Sequence, residues 1–275
     1  LVKSLLNSED VPADILTMVR ERADGNPSFI EAIVQALKEE EVIEVSEGQS
    51  LKINKPLDSI EIPGSIQGLV VSALDRLSES LKNLLQWSSV IGPVFDFELV
   101  KKVAGDSDIE NNIQLLTEKE IIFESKSFPE IEYSFKSVLV QECAYSGMLL
   151  KMQREMHLTV ARAIEDNCGD RLDEHYETLA RHYHSGQDFV QAYEYSVKAG
   201  MKSKNMHAPA EAIISLNNAI ELFNQIDDSK TPITDVYGAL AEVYEVNGDL
   251  DLAIEYREKL AETLDDTLQK GDGLR

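Results

Sequence analysis

The sequence predicts a mainly α protein: N-terminal helices, a helical domain carrying small β-hairpins, and a C-terminal α-solenoid of helical hairpins. Three observations predict it. Apolar residues recur at helical spacing along most of the 275 residues. Two short segments rich in branched and aromatic residues, near 42–53 and 121–135, read as hairpins. Residues 149–275 contain only helical patterning.

Composition supports a folded core and limits the partners. Apolar residues make up 43% of the chain, with only 8 Pro and 14 Gly. Fifty acids against 26 bases leave a formal charge of −24. Such a surface repels phosphate backbones and anionic membranes, so neither nucleic acid nor membrane is an expected partner. No apolar run approaches the ~20 residues of a membrane helix. Lys3, Glu9 and Asp10 interrupt any secretory leader. A cytoplasmic protein with reduced Cys143 and Cys168 is expected.

The elements follow in order. Asp10 and Pro12 start a helix over 10–24 that carries Ile15, Met18, Val19 and Ala23 on one face. Gly25 ends it, Asn26 caps the next, and Pro27 fits the first turn of that helix. Phe29, Ile30, Ile33, Val34 and Leu37 give the second helix its apolar face. Residues 42–45 and 51–53 flank a Gly-containing turn, and Lys55 to Glu61 is a linker. Helices resume after Pro63, with Ser78 capping a helix that Gly92-Pro93 stops. A short helix ends at Gly105, another covers 107–119, and Ile121–Phe123 pairs with Ile131–Phe135 as a two-stranded wing. Three short helices followed by such a wing are the pattern of a winged helix.

Helices are then expected at about 138–146, 149–167, 171–186, 188–206, 208–227, 231–247 and 250–268. Leu179, Ala180, Tyr183, Phe189, Ala192 and Ala199 have tetratricopeptide spacing, and Leu240, Ala241, Tyr244, Gly248, Leu250 and Ala253 repeat it. Small residues sit where two helices touch, and large ones wedge between hairpins. Between these two repeats the period breaks: Ala192 and Ala212 are twenty positions apart rather than the ~34 of a regular array. Irregular helical packing is expected there.

Three stretches in order carry a family resemblance: Ala23-Asp24-Gly25-Asn26-Pro27-Ser28-Phe29-Ile30-Glu31-Ala32; Ile62 to Leu69 with Ala73 to Leu77 and Ser89-Val90-Ile91-Gly92; and Tyr133-Ser134-Phe135 with Leu139 to Glu142 and Ala144-Tyr145. Together they resemble the region after the ATPase core of bacterial STAND signalling ATPases, AAA-like modules of the kind attached to class III adenylate cyclases. The resemblance implies a lid remnant with its hairpin over residues 1–55, a winged helix over 56–148 and tetratricopeptide-like repeats over 149–275. It implies that Pro27 and Asn26 lie near the adenine in an intact module, with ATP and Mg bound by the parent protein. No G-x-x-x-x-G-K-[ST] loop occurs in the chain, so no cofactor and no hydrolysis are expected in this piece alone. Relatives often carry a His shortly after the Tyr-x-Phe; here Lys136 and Ser137 follow instead, and any role of that His does not transfer.

Candidate sites are few. The helix over 107–119 could read bases through Asn111, Asn112 and Gln114, yet it holds three acids against one base, and the wing holds Glu124, Glu130 and Glu132 against Lys126. His175, His182 and His184 share a helix without metal-ligand spacing, so no metal site is expected. Tyr176, Tyr183, His182 and Tyr244 are the candidates for protein interaction on the repeats. No nucleophile–base arrangement stands out, and no enzyme activity is expected. The chain reads as a regulatory, protein-interaction segment whose repeats bind a protein or peptide and whose winged helix contacts an intramolecular ATPase. A DNA-binding transcription regulator and a stand-alone tetratricopeptide scaffold are the alternatives.

Overall fold

The structure, a computed structural model, describes residues 1–6, 8, 11–23, 27–39, 42–45, 51–55, 65–226 and 231–272. The chain is mainly α, as the periodicity predicts. Its contacts divide it into two compact units: Leu1–Phe97 with Asp106–Met148, and Glu98–Gly105 with Leu149–Arg275. Residues 1–97 and 106–148 thus fall in one unit, while 98–105 group with the C-terminal helices.

In the first unit, helices α1 (Val2–Leu5), α2 (Ala13–Ala23) and α3 (Pro27–Glu39) precede strands β1 (Ile43–Val45) and β2 (Leu51–Ile53). The strands pair antiparallel with Ile43 opposite Ile53. Ile15, Val19, Ile33, Val34, Leu37 and Val42 are buried together with Leu69. The predicted faces of both helices thus form one core. α3 begins at Pro27, where a missing N–H costs nothing. Gly25 and Asn26, the turn residues 46–50 and the linker after Lys55 lie outside the described residues.

Helix α4 (Ile66–Asp75) is capped by Ser65, whose hydroxyl accepts from the Gly68 N–H, and α5 (Glu79–Ile91) by Ser78, which accepts from Leu81. Strand β3 (Val94–Asp96) follows, then α6 (Phe97–Ala104), α7 (Ile109–Glu118), β4 (Ile122–Lys126), β5 (Glu132–Phe135) and α8 (Val138–Ser146). The sheet has three strands in the order β3-β5-β4, not the two expected. Val94 to Asp96 pairs with Glu132 to Ser134, and Phe95 is buried with its ring edge-on to Phe135 at 5.7 Å. Three residues after a Gly-Pro stop are too short a run for alternation to reveal, so the sequence hid this strand.

The second unit contains most of α6 together with helices α9 (Leu150–Cys168), α10 (Tyr176–Ser185), α11 (Phe189–Asn205), α12 (Pro209–Phe223), α13 (Ile233–Asn247) and α14 (Leu250–Asp272). A 3-10 segment, Gly169–His175, replaces the first turns of the helix expected from 171. From α9 onward each helix packs on its neighbour in sequence.

The expectation of irregular packing between the two repeats is wrong. Three turns are built alike. Gln187, His207 and Gly248 each take a left-handed conformation, with φ of 62°, 56° and 90°. After each, a backbone N–H closes on the preceding helix at 2.9 Å: Asp188 to the Tyr183 carbonyl, Ala208 to Ser203 and Asp249 to Tyr244. Each turn lies seven positions after a small residue, namely Ala180, Gly200 and Ala241. Helix α11 is therefore the second helix of one hairpin and the first of the next. At the second contact, a Cβ on Gly200 would lie 2.5 Å from Leu216 Cγ, so the closest approach of α11 and α12 requires glycine. The regular period is lost because one helix serves two hairpins.

Candidate functional site

Helices α10, α11 and α12 enclose a groove with a cavity of about 380 Å³. Its geometry follows from helical spacing. Glu177, Arg181 and His184 share one face of α10, while Asn218 and Glu221 share one face of α12 and Gln225 lies in the turn after it. Ala180 and Ala199 let the helices approach, and Ser196 and Ser215 face the space between. Ser196 is 4% exposed and Ser215 8%. Neither hydroxyl has a hydrogen-bond partner among the described residues, and both retain access to the cavity.

Arg181 is braced from inside the unit. One Nη lies 2.9 Å from Nε2 of His182, and Nδ1 of His182 lies 2.9 Å from Nδ1 of His157 on α9. Guanidinium nitrogens only donate, so Nε2 of His182 accepts and its proton is on Nδ1. That proton is donated to Nδ1 of His157, which therefore carries its own proton on Nε2. Both rings are neutral. Burial and the nearby Arg181 charge lower His157 from the usual histidine value to about 4 and His182 to about 2.

Beside this pair, Glu165 of α9 accepts from the Tyr183 hydroxyl at 2.7 Å and the Tyr195 hydroxyl at 2.5 Å. The two phenol rings stack at 5.6 Å. Burial, then the hydrogen bond to the anionic Glu165, raises both phenols above their ordinary value. The Lys198 ammonium lies 4.5 Å from the Tyr195 ring centre.

A second hollow, about 610 Å³, opens between α10, α11 and α13 and includes Tyr176 and Lys198. One of its cations is already matched: Lys202 donates to the Asp173 carbonyl at 2.7 Å and lies 3.4 Å from the Asp173 carboxylate.

The expected interaction residues separate. His182 has no exposed surface, and Tyr183 and Tyr244 are 4% and 8% exposed. These three are interior groups, because their rings fill the space between helices. Tyr176 is half-buried and borders the second hollow. His175, His182 and His184 do not converge: His182 turns inward, while His184 packs on the Phe189 ring at 5.9 Å. Among the described residues no group of three His, Cys, Asp or Glu is placed to hold a metal. Pro27 is exposed at the start of α3, and Asn26 lies outside the described residues. His157, Arg181, Ser196 and Ser215 went unnoticed in the sequence. His157 had a signal: it lies on the α9 stripe with Gln153, Met156, Val160, Ala161 and Ile164, all buried.

On α7, the three candidate base-reading amides are engaged. Asn111 donates to Asp108 at 3.1 Å, Asn112 to Asp106 at 2.6 Å and Gln114 to Glu118 at 2.9 Å. Asn112 is also 5% exposed.

No helix among the described residues is long and apolar enough to cross a membrane. Residues 1–50 match a family described as a domain of unknown function, DUF8739. The chain is 28% identical over 209 residues to the peroxide stress-activated histidine kinase mak3 of Schizosaccharomyces pombe, covering 69% of this chain and 9% of the kinase. It is 22% identical over 221 residues to the uncharacterized protein R02095 of Rhizobium meliloti, covering 79% of this chain and 21% of that protein. The chain thus spans a small part of the relatives it matches. Among solved structures, it is similar to a signal transduction ATPase with numerous domains (STAND) protein with a tetratricopeptide repeat sensor, PH0952 from Pyrococcus horikoshii. That match has a TM-score of 0.35 and 16% identity, covering 94% of this chain and 41% of the other.

Proposed function

We propose that this chain is a non-catalytic regulatory segment of a STAND-type signalling ATPase, in which binding of a protein or peptide to the helical repeats is coupled to an upstream nucleotide switch. The observation that carries the reading is the array of three like hairpins with a groove lined by both apolar and polar side chains, a construction suited to holding an extended partner. The three ordered sequence stretches support the family. The match to part of a long histidine kinase agrees with a segment of a larger signalling protein.

In this reading ATP and Mg belong to the parent ATPase, with Pro27 and Asn26 near the adenine. The strand β3 and helices α5 to α7 with β4 and β5 act as a protein-packing winged helix. Commitment of the α7 amides to carboxylates favours that role over DNA reading. Such a switch needs a partner with different affinity for its two states. Removing residues 149–275 from the full-length protein is expected to abolish partner-dependent control of the effector output. Unchanged control after that deletion would reject the proposal.

A further inference from the structure

We propose that the exposed face of α14 is a docking seam for a helix of a second protein, apolar along one stripe and basic at its edge, seated on α14 as α12 is seated on α11. The seam includes none of the residues that line the groove between α10 and α12, so it stands apart from the reading of the repeats as a regulatory segment.

The hairpins α10–α11 and α13–α14 are built alike, with each counterpart sixty-one positions further on. Tyr183 and Tyr195 stack at 5.6 Å, and so do Tyr244 and Tyr256. Tyr176 and Tyr237 approach the second ring of each stack at 5.9 and 6.1 Å. The Lys198 ammonium lies 4.5 Å from the Tyr195 ring centre, and that of Lys259 lies 4.5 Å from Tyr256. Helix α14 therefore holds the place in its hairpin that α11 holds in the other.

The two helices differ in what covers the next face. On α11, Tyr193, Gly200 and Ser203 are buried. Tyr193 meets the Phe223 ring of α12 at 5.6 Å, and Gly200 lies against Leu216 of α12. Their counterparts on α14 are Ile254, Ala261 and Leu264, all exposed, Ile254 by 56%. Leu250, exposed likewise, extends the row. Leu250, Ile254, Arg257, Ala261 and Leu264 follow one another by fours and threes, the heptad spacing of a coiled-coil seam. Arg257, the one polar member, is bonded to Glu245 of α13.

The two flanks of this seam are unlike. On one, Ala253 is buried and Leu260 reaches Gly238 of α13. On the other stand Asp251, Glu258 and Asp265, exposed and seven positions apart. A covering helix with bases at that edge meets each acid, and one with acids there is repelled. A second copy fits badly: antiparallel seams set these acids against each other, and both chains carry −24. The chain also does not turn back over the seam as α11 does at His207, because the counterpart position, 268, lies inside α14. A separate protein is the occupant that remains.

The test is fluorescence anisotropy of two labelled, end-blocked peptides, each about three heptads long with leucine at the seam positions, titrated with the whole chain. One has lysine at the flanking positions and the other glutamate. The lysine peptide should bind saturably, and Ile254→Ser with Leu264→Ser should weaken it about tenfold or more. Both side chains are exposed, so these changes spare the interior and leave every charge in place. Glu258→Lys with Asp265→Lys should reverse the preference toward the glutamate peptide. Equal affinity after the serine changes means attraction by charge alone and overturns the seam. Loss of binding with Ile214→Ser, on the groove wall, while the serine pair has no effect, overturns it as well. So does an absence of binding, or self-association of the whole chain in sedimentation that the serine pair abolishes.

Discussion

The Nδ1 atoms of His182 and His157 face each other at 2.9 Å, sharing one proton between α10 and α9. Neither ring can take a second proton without breaking this bond or the one to Arg181. Unfolding releases both histidines to an ordinary value near 6.5. Their folded values are depressed, so below pH 6.5 the unfolded chain binds more protons and stability falls. This contribution is fully present above pH 6.5 and declines as pH drops. Each histidine is expected to cost up to about 2 kcal/mol by pH 5. Urea denaturation at pH 7.5 and 5.0 checks this: replacing both histidines with Gln should flatten the pH dependence. An unchanged slope would mean the pair is not buried neutral.

Gly200 sits where α11 and α12 pack closely. Gly200→Ala gains about 1 kcal/mol in helix propensity but drives a methyl into Leu216. Leu216 is fully buried and its neighbouring backbone nitrogen is also near, so the clash dominates. A net loss of about 1–2 kcal/mol is expected. A double-mutant cycle with Leu216→Ala should show the two changes coupling favourably. Additive losses would argue that α11 and α12 do not touch there.

Glu194 is 5% exposed, and its carboxylate accepts from the Thr231 N–H at 3.0 Å and hydroxyl at 2.8 Å. Tyr193 adds a bond to the Thr231 carbonyl at 2.8 Å. Together these tie the start of α13 to α11. Thr231→Val keeps the shape and removes one donor from a buried anion, at an expected cost of about 1–3 kcal/mol by thermal or urea unfolding. Glu194→Gln with Thr231→Val should lose less than the sum of the single changes.

Asn112 donates to Asp106 from a nearly buried position. Asn112→Ala is therefore expected to destabilise its unit by about 1–2 kcal/mol. Fluorescence anisotropy should show no duplex binding by the unmodified chain even at low salt. Salt-dependent DNA binding lost with Asn111 or Gln114 would restore the regulator alternative.

Much of the fold was legible because it is local. Ser78 announces α5 by its capping chemistry, and the apolar stripe on α3 needs only its own residues. The expected helix boundaries at 138–146 and 231–247 agree with α8 and α13 within two residues for the same reason. The site was far less legible. Tyr183 and Tyr244 matched the repeat spacing, and their aromatic character suggested contact with a partner; packing turned both inward. Arg181 looked like one more surface charge in a chain with 26 bases.

The sequence alone determined the mainly α class, the turn residues that separate most helices, and the acidity that narrows the partners. Those properties depend on residues a few positions apart or on composition. The tertiary structure decided that α11 serves two hairpins, that β3 completes a sheet, and that His157 meets His182. Each depends on residues brought together from distant positions, and no periodicity within one helix encodes which face a neighbouring helix will cover.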